Sequence, residues 1–336
     1  MTRLLKLLLL LTVILLLFAG AWFSRELGTP LGRTEGKIVF EIAEGKSVAA
    51  IARELREQGV IRRTWPFLLS YRLFHSSSSL KAGEYEMEGP VSSRDVLNAL
   101  IEGRIRLHAL TVPEGLTRLE IARHLADEYG VSESDFMAAS SEPDPISDWD
   151  DQARDLEGYL FPETYFFPRE TPARTIVAAM VRQFHENFPS EWSRRAGELG
   201  LSGRETVILA SLIEEETALP SERPLVSAVF HNRLRIGMKL DCDPTIAYAL
   251  KLEGRYTGRL LTRDLRWDTP FNTYLHRGLP PGPITNPGRS SLRAALYPAE
   301  ADYLYFVSRN DGSHFFSRTY REHREAVNRY QRRIKR

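Results

Sequence analysis

The sequence predicts an α+β protein that carries one membrane helix at its N-terminus. Segments with strand and helix patterns are mixed, without the regular βαβ alternation that is typical of a parallel sheet. A strand–turn–helix unit occurs twice within the first 130 residues. Residues 7–24 form an uninterrupted run without charge. Together these features predict a transmembrane helix, one or two small α/β subdomains and a larger α+β domain.

The uncharged run, Leu7–Ser24, is about 18 residues long, close to the ~20 that a helix needs to cross a bilayer. Arg3 and Lys6 precede it, which favours an N-terminus inside the cell. We therefore predict a cytoplasmic tail over 1–6, a single-pass helix over 7–24 in the cytoplasmic (inner) membrane, and a linker over 25–36. The rest of the chain then lies on the outer, periplasmic side. The alternative is a signal peptide cleaved near Ala19–Ala21, although the bulky Trp22–Phe23 pair favours a retained anchor.

The composition excludes several classes of function. The chain has 336 residues and a net charge of +1, so its charge does not indicate a nucleic-acid partner. Its one cysteine, Cys242, allows no internal disulfide. The eight histidines lack the spacing of known metal motifs. We therefore expect no metal site and no cofactor.

Two segments separated by 70 positions share one pattern. In the first, a strand over Lys37–Ile42 is followed by a turn and by a helix that Ser47 caps and Gly59 ends. In the second, Leu110–Gly130, the Glu-Gly turn and the I-A-R-x-L helix pattern recur, and Thr117 and Glu120 form a capping box. The unit resembles a LysM repeat, which implies binding of glycans that contain N-acetylglucosamine. We predict a LysM-like domain over 37–106.

The second LysM-like unit and an acidic connection are predicted over 107–150. The segment Ser132–Asp155 is rich in Ser, Pro and acidic residues, and we expect it to be exposed. A helix is predicted to start near Ser93, and another to span Ala173–Phe188. After Asp155 the sequence becomes rich in aromatic residues and proline, so we predict a catalytic α+β domain over 151–336.

Three consecutive glutamates end an apolar stretch that is predicted to be a helix over Thr206–Thr217. At about 100° per residue, Glu216 falls in the middle of the apolar face, Glu215 on its edge and Glu214 outside it. Glu214 and Glu215 can therefore remain solvated, while Glu216 must be paired or protonated. Desolvation raises the pKa of a carboxyl group, and a general acid needs a raised pKa. The alternative is a structural ion pair of Glu216 with Arg223 or Arg233.

A single buried carboxyl group suits a particular chemistry. Ordinary glycosidases use two carboxyl groups, one as the acid and one as the base or nucleophile. One is enough where the substrate supplies its own nucleophile. In peptidoglycan, the C6 hydroxyl of N-acetylmuramic acid can attack its own anomeric carbon. The glutamate then donates a proton to the glycosidic oxygen and accepts one from that hydroxyl, and a 1,6-anhydro ring forms.

Several long, ordered motifs agree with this chemistry. They are LEGYLFPETY (Leu156–Tyr165), ASLIEEET (Ala210–Thr217), SERPLVSAVFHNRLRIGMKLDCDPTIAYAL (Ser221–Leu250), FNTYLHRGLPPGPITNPG (Phe271–Gly288) and YLYFVS (Tyr303–Ser308). The chain resembles the YceG-like family over almost its whole length. The resemblance implies an endolytic murein transglycosylase, a carbon–oxygen lyase that acts on nascent glycan strands. It also implies work beside penicillin-binding synthases, where the enzyme limits strand length.

The resemblance also implies the site residues. The catalytic glutamate of the family is the last of the E-x-E-T group, which is Glu216 here. Substrate binding is carried over onto Glu222, Asn232, Arg233, Asp243, Thr245, Asn272 and Tyr274. Each of these residues also has a structural alternative: Asp243 can cap the helix that begins near Pro244, and Asn232 and Arg233 can tie a helix to a loop. Asp241 and Cys242 stand where some relatives carry Gln and a small residue, and Cys242 is expected to be an apolar filler.

Two other functions remain open from the sequence. The chain can be a peptidoglycan-binding scaffold of the synthesis machinery that uses LysM-like units without turnover. It can also be an ordinary muramidase that uses water. A transglycosylase releases anhydro ends, a muramidase leaves reducing ends one water heavier, and a scaffold releases nothing.

Overall fold

The structure, a computed structural model, describes residues 2–31 and 36–332. Part of the predicted linker over 25–36, Met1 of the predicted tail and residues 333–336 lie outside the described residues. The helices are α1 (Thr2–Gly28), α2 (Val48–Glu57), α3 (Thr64–Phe74), α4 (Ser93–Glu102), α5 (Arg118–Tyr129), α6 (Glu133–Ser141), α7 (Ala173–Asn187), α8 (Ser190–Glu198), α9 (Gly203–Glu216), α10 (Arg223–Arg235), α11 (Asp243–Leu252), α12 (Arg289–Leu296) and α13 (Tyr320–Val327). The strands are β1 (Lys37–Ile42), β2 (Gly83–Glu88), β3 (His108–Thr111), β4 (Thr164–Phe167), β5 (Tyr305–Ser308) and β6 (His314–Ser317).

The architecture mixes many helices with three two-stranded sheets, β1–β2, β3–β4 and β5–β6, among the described residues. The predicted mixture of helices and strands is confirmed. The chain divides into two compact units, Met1–Ala109 with Phe166–Arg169 and Leu110–Tyr165 with Glu170–Arg336. The second strand–turn–helix segment, Leu110–Gly130, lies in the larger compact unit. The predicted domain scheme, including the LysM-like units, stays a prediction.

Helix α1 is long and apolar enough to cross a membrane: the most apolar 18-residue stretch within Arg3–Gly28 has a mean hydropathy of 2.7, and none of that stretch is buried in the protein. The predicted span over 7–24 lies within it. The helix continues to Gly28, four residues into the predicted linker. Its last turns pack in the first unit, where the Trp22 and Trp65 rings stack with centroids 5.1 Å apart and Leu27 is 5% exposed. This packing explains the extra helical turn.

The first unit confirms the local predictions for its strand and helices. β1 pairs antiparallel with β2 from Lys37 opposite Glu88 to Ile42 opposite Gly83. The Ser47 hydroxyl accepts a hydrogen bond from the Ala50 amide at the start of α2. Helix α4 begins at Ser93, as predicted, with Ser92 and Asp95 forming its capping box. The apolar faces of these helices enclose one core with the inner face of β1–β2.

In the second unit, α5 repeats the local features of α2. Thr117 and Glu120 form the predicted capping box. Its buried residues Ile121, Ala122 and Leu125 correspond to the buried Ile51, Ala52 and Leu55 of α2. The repeated sequence pattern therefore produces the same capped amphipathic helix in both places.

The segment 132–155 differs from its prediction as an exposed connection. It contains α6 and a 3-10 turn over Asp144–Ile146, and α6 packs against α5 and α7. Phe136 and Ile146 are completely buried, and Trp149 packs edge-on against Phe184 and Phe188. Phe136, Ile146 and the Trp149 ring therefore hold this acidic segment against the core, although its overall composition predicted an exposed connection.

Helix α9 is the centre of the second unit. All residues from Thr206 to Ile213 are buried, because α8, α10, α11 and α12 pack around it. The hairpin of β5 and β6 pairs from Tyr305 opposite Ser317 to Ser308 opposite His314, and it contacts α13 and α10. This packing leaves the C-terminal end of α9 facing α11 and the hairpin.

Candidate active site at the C-terminal end of helix α9

Helix α9 places Glu216 at its last position. The helix begins three residues earlier than predicted, at Gly203, where Ser202 and Glu205 form a capping box. It ends at Glu216 because Thr217 has extended backbone angles, with φ −149°. Glu216 is half-buried, and the buried core of the helix fixes its position.

The surroundings of Glu216 raise the pKa of its carboxyl group to about 7, mainly because burial removes water from it. The negative charge of Asp243 raises this pKa further. A hydrogen bond from the Cys242 thiol and the charges of His314 and Arg233 lower it. Near neutral pH the group therefore exchanges readily between its protonated and ionised forms, as a residue that acts first as an acid and then as a base requires.

Glu214 is not solvated, and this prediction was wrong. Its carboxylate lies 2.6 Å from the Arg223 guanidinium and accepts a hydrogen bond of 2.9 Å from the Gly288 amide. Burial is the main cause of its raised pKa. The last turn of α9 is enclosed on the side of Glu214, because the segment around Gly288 approaches it. Arg223 is consequently paired with Glu214, and the alternative in which it neutralises Glu216 is not what the structure has.

Asp243 and Tyr274 form the part of the predicted site that accompanies Glu216. The Tyr274 hydroxyl donates to an Asp243 carboxylate oxygen over 2.6 Å. Asp243 is the first residue of α11, and the N-cap position belongs to Cys242, so the alternative that Asp243 caps this helix is wrong. Cys242 is 1% exposed, as expected of an apolar filler, but its thiol also reaches Glu216.

Thr245 and Asn272 are completely buried. The Thr245 hydroxyl donates to the Cys242 carbonyl at 2.7 Å. The Asn272 amide donates to the carbonyls of Leu265 and Trp267. Both side chains thus hold the loops beside Asp243 in place, and a direct contact of either with a sugar stays a prediction.

Asn232 and Arg233 tie α10 to the segment before the hairpin, as the structural alternative stated. Asn232 donates to the carbonyls of Ala301 and Tyr303. The Arg233 guanidinium donates to the carbonyls of Leu304 and Leu240, each at 2.7 Å. Arg233 is therefore held by main-chain oxygens, and it acts on Glu216 through its charge.

The structure adds His314, a residue that sequence reasoning missed. One Glu222 oxygen accepts from the His314 amide at 2.9 Å, and the other lies 2.7 Å from His314 Nδ1. The same carboxylate lies 3.5 Å from the hydroxyl of Thr217, the residue after Glu216. Glu222 was predicted to bind substrate, and its oxygens here orient the histidine ring. The sequence carried no signal for His314, because the β5–β6 hairpin brings it to the site from far along the chain.

No group of three or more His, Cys, Asp or Glu side chains within residues 2–31 and 36–332 could hold a metal ion. The side chains at the end of α9 favour proton transfer by Glu216, whose pKa its polar and charged neighbours raise or lower.

Comparisons with known proteins agree on one family. A family model described as the YceG-like family matches residues 40–329. An endolytic murein transglycosylase of Bacillus subtilis is 33% identical over 336 residues, covering 94% of this chain and 91% of that protein. A protein of the same name from Streptococcus pneumoniae is 28% identical over 343 residues, covering 92% of this chain and 62% of that protein. A crystal structure of a yceG-like protein from Listeria monocytogenes has a TM-score of 0.59 and 31% identity, covering 86% of this chain and 98% of that chain.

Proposed function

The chain belongs to the YceG-like family, and from this premise we propose that it is an endolytic murein transglycosylase that cuts within peptidoglycan strands. The bond it cleaves joins N-acetylmuramic acid to N-acetylglucosamine, and the product ends in 1,6-anhydro-N-acetylmuramic acid. The proposal depends above all on one observation: Glu216 is half-buried at the end of a rigid helix, with its pKa raised to about 7.

The proposed mechanism uses Glu216 twice. Its protonated carboxyl group donates to the glycosidic oxygen as the bond from that oxygen to the anomeric carbon breaks. The resulting carboxylate accepts the proton of the C6 hydroxyl, whose oxygen closes the ring onto the anomeric carbon. The proton lost in the first step is regained in the second, so the enzyme returns to its starting state without consuming water. A pKa near neutrality favours both transfers equally.

Substrate contacts are proposed for the other predicted site residues, and the structural support for them differs from residue to residue. Asp243 and Tyr274 have the strongest support, since Asp243 influences the pKa of Glu216 and Tyr274 is bonded to Asp243. For the rest, the internal hydrogen bonds described above support a role in shaping the site. These residues are Glu222, Asn232, Arg233, Thr245 and Asn272.

We propose that α1 anchors the chain in the cytoplasmic membrane with residues 1–6 inside and the catalytic part outside. Arg3 and Lys6 support this orientation, because positive residues remain on the cytoplasmic side. The LysM-like units are proposed to bind glycan, and penicillin-binding synthases are the proposed partners. Cleavage beside a synthase would make the enzyme a terminator of strand elongation.

The test is digestion of purified glycan strands with wild type, Glu216→Gln and Glu215→Gln, followed by mass measurement of the product ends. We expect anhydro ends from wild type and from the neighbouring Glu215→Gln control, and none from Glu216→Gln, since an amide cannot donate or accept the proton. Product ends one water heavier would indicate a muramidase. Strand binding by wild type without any product would support the scaffold alternative.

A further inference from the structure

The second unit contains a cavity of about 560 Å³ that the acid–base step does not use. The first turn of α5, over 117–120, forms one side, and Tyr248 and Lys251 near the end of α11 form the other. Glu157, which is 5% exposed, also lines it. This volume is typical of a small-ligand site.

The charges around this cavity favour a ligand that carries carboxylates. Lys251 Nζ lies 2.7 Å from Glu120 and also faces the Tyr256 ring, while Arg123 is largely exposed and lies 3.7 Å from Glu133. Burial raises the pKa of Glu157 to about 8 and so favours its protonated form, while hydrogen bonds from the Arg118 amide and the Tyr248 hydroxyl favour the ionised form. Aliphatic side chains complete the walls, namely Leu119, Met137 and Leu252.

Two segments connect the cavity to the surroundings of Glu216: helix α11 and the turn before α5. Asp243, which acts on the pKa of Glu216, begins α11, and Lys251 follows eight residues later, about 12 Å along the helix axis. The turn before α5 also meets the end of α9, since a Cβ atom added at Gly115 would lie 3.6 Å from a Glu215 carboxylate oxygen. Helix α11 and the turn before α5 therefore each connect the cavity to the surroundings of Glu216 over a short distance.

We propose that this cavity binds the short, carboxylate-bearing peptide attached to N-acetylmuramic acid, so that the enzyme selects strands that still carry their peptides. The proposal rests on the proposed function, because it assumes that a muramic acid residue occupies the site at Glu216. A peptide of about three to five residues spans roughly 10 to 18 Å when extended, which matches the distance along α11. Lys251 and Arg123 would receive its carboxylates, and the aliphatic walls its apolar side chains.

The experiment compares glycan strands that carry peptides with the same strands after an amidase has removed them. We expect wild type to have a kcat/KM about tenfold higher on the peptide-bearing strands, the effect of about one charge-assisted contact. Arg123→Met and Lys251→Met should each lower kcat/KM on peptide-bearing strands and leave the rate on stripped strands unchanged. Arg255→Met, which removes an exposed cation outside the cavity lining, is the matched control and should behave as wild type.

The outcomes separate the two proposals. Equal rates of wild type on both substrates would overturn the peptide site and leave the proposed function intact. An absence of anhydro ends from either substrate would overturn the proposed function itself. If Lys251→Met slows both reactions equally, its loss acts through the Glu120 pair. In that case Arg123→Met, at an exposed position, tests the peptide site. If this variant keeps the wild-type preference for peptide-bearing strands, the peptide site is overturned.

Discussion

In the proposed mechanism, the proton on Glu216 sets the pH range in which the enzyme can work. Because the carboxyl group must be protonated to act as an acid and its pKa is about 7, activity should fall as the pH rises above that value. Asp243→Asn removes a negative charge that raises this pKa, while its amide oxygen can still accept from Tyr274. We expect the alkaline limb of the kcat/KM profile to move to lower pH.

The measurement for this prediction is the pH–rate profile between about pH 5 and 9, with the exposed Asp268→Asn as a control whose limb stays in place. An alkaline limb that moves upward in Asp243→Asn, or that does not move, would contradict the assigned electrostatics of the site.

The raised pKa of Glu216 also makes stability depend on pH. Its native pKa of about 7 is above its ordinary value of 4.5, so between these values the native protein holds a proton that the unfolded chain has lost. The free energy of unfolding contributed by this group is therefore fully present below about pH 4.5 and is lost as the pH rises through 7. Glu216→Gln has no such proton.

We expect the stability of Glu216→Gln to rise relative to wild type as the pH rises. Above neutrality its free energy of unfolding should be larger by on the order of 2 kcal/mol than at acidic pH, relative to wild type. Urea unfolding gives the difference in the free energy of unfolding between the variant and wild type, once at acidic pH and once at alkaline pH. Glu186→Gln, at an exposed position of α7, is the control and should give the same difference at both. A constant difference for Glu216→Gln would show that its native pKa is not raised.

At the scale of single residues, helical periodicity predicted that Glu216 turns away from solvent, and the residue is half-buried, because periodicity is a local property. The same reasoning failed for Glu214, since its burial depends on Arg223 and on the Gly288 amide, which approach from other segments. The Glu222–His314 contact was missed for the same reason. Partners that are distant along the chain leave no periodic trace at either residue.

At the scale of elements, Gly158 shows how closely the segments of the second unit approach one another. It has φ +88°, and its amide donates to the Asn286 side chain at 2.9 Å. A Cβ atom at this position would lie 2.5 Å from Pro283 and 2.9 Å from Val207 of α9. We expect Gly158→Ala to destabilise the protein by roughly 2–4 kcal/mol through overpacking and backbone strain.

Gly254→Ala is the matched control for this prediction. Gly254 has a similar φ of +64°, but nothing lies within 4 Å of an added Cβ. Its cost is then only the left-handed backbone, about 1 kcal/mol. Urea denaturation of both variants gives the comparison, and equal losses of stability would mean that the close contacts of Gly158 are relieved by movement.

Elements with local signals were predicted well, and elements that depend on pairing were not. The caps of α2 and α5 and the start of α4 follow from a few adjacent residues and are confirmed. The partner of β1 is β2, some 40 residues away, and no pattern within β1 specifies that register. Helix α6 was missed because its acidic composition outweighed the single buried Phe136.

At the scale of the whole molecule, α1 combines a segment that is long and apolar enough to cross a membrane with a segment that packs in the first unit. Large apolar side chains between Leu4 and Phe18 are 45% to 75% exposed in the protein. From Trp22 onward, by contrast, the helix packs on Trp65 and buries Leu27. Two truncations that end on either side of Trp22 can therefore separate anchoring from folding.

Removal of residues 1–19 should release the purified protein from lipid vesicles in a flotation assay and leave its thermal unfolding midpoint unchanged. Removal of residues 1–28 should release it equally and also lower the midpoint, because the Trp22–Trp65 stack and the buried Leu27 side chain are lost. Burial of a leucine alone stabilises a fold by roughly 1.5–3 kcal/mol, enough for a measurable shift. Continued flotation of the shorter truncation would place the membrane contact outside residues 1–19, and identical midpoints for both would show that the packing of α1 contributes nothing to the first unit.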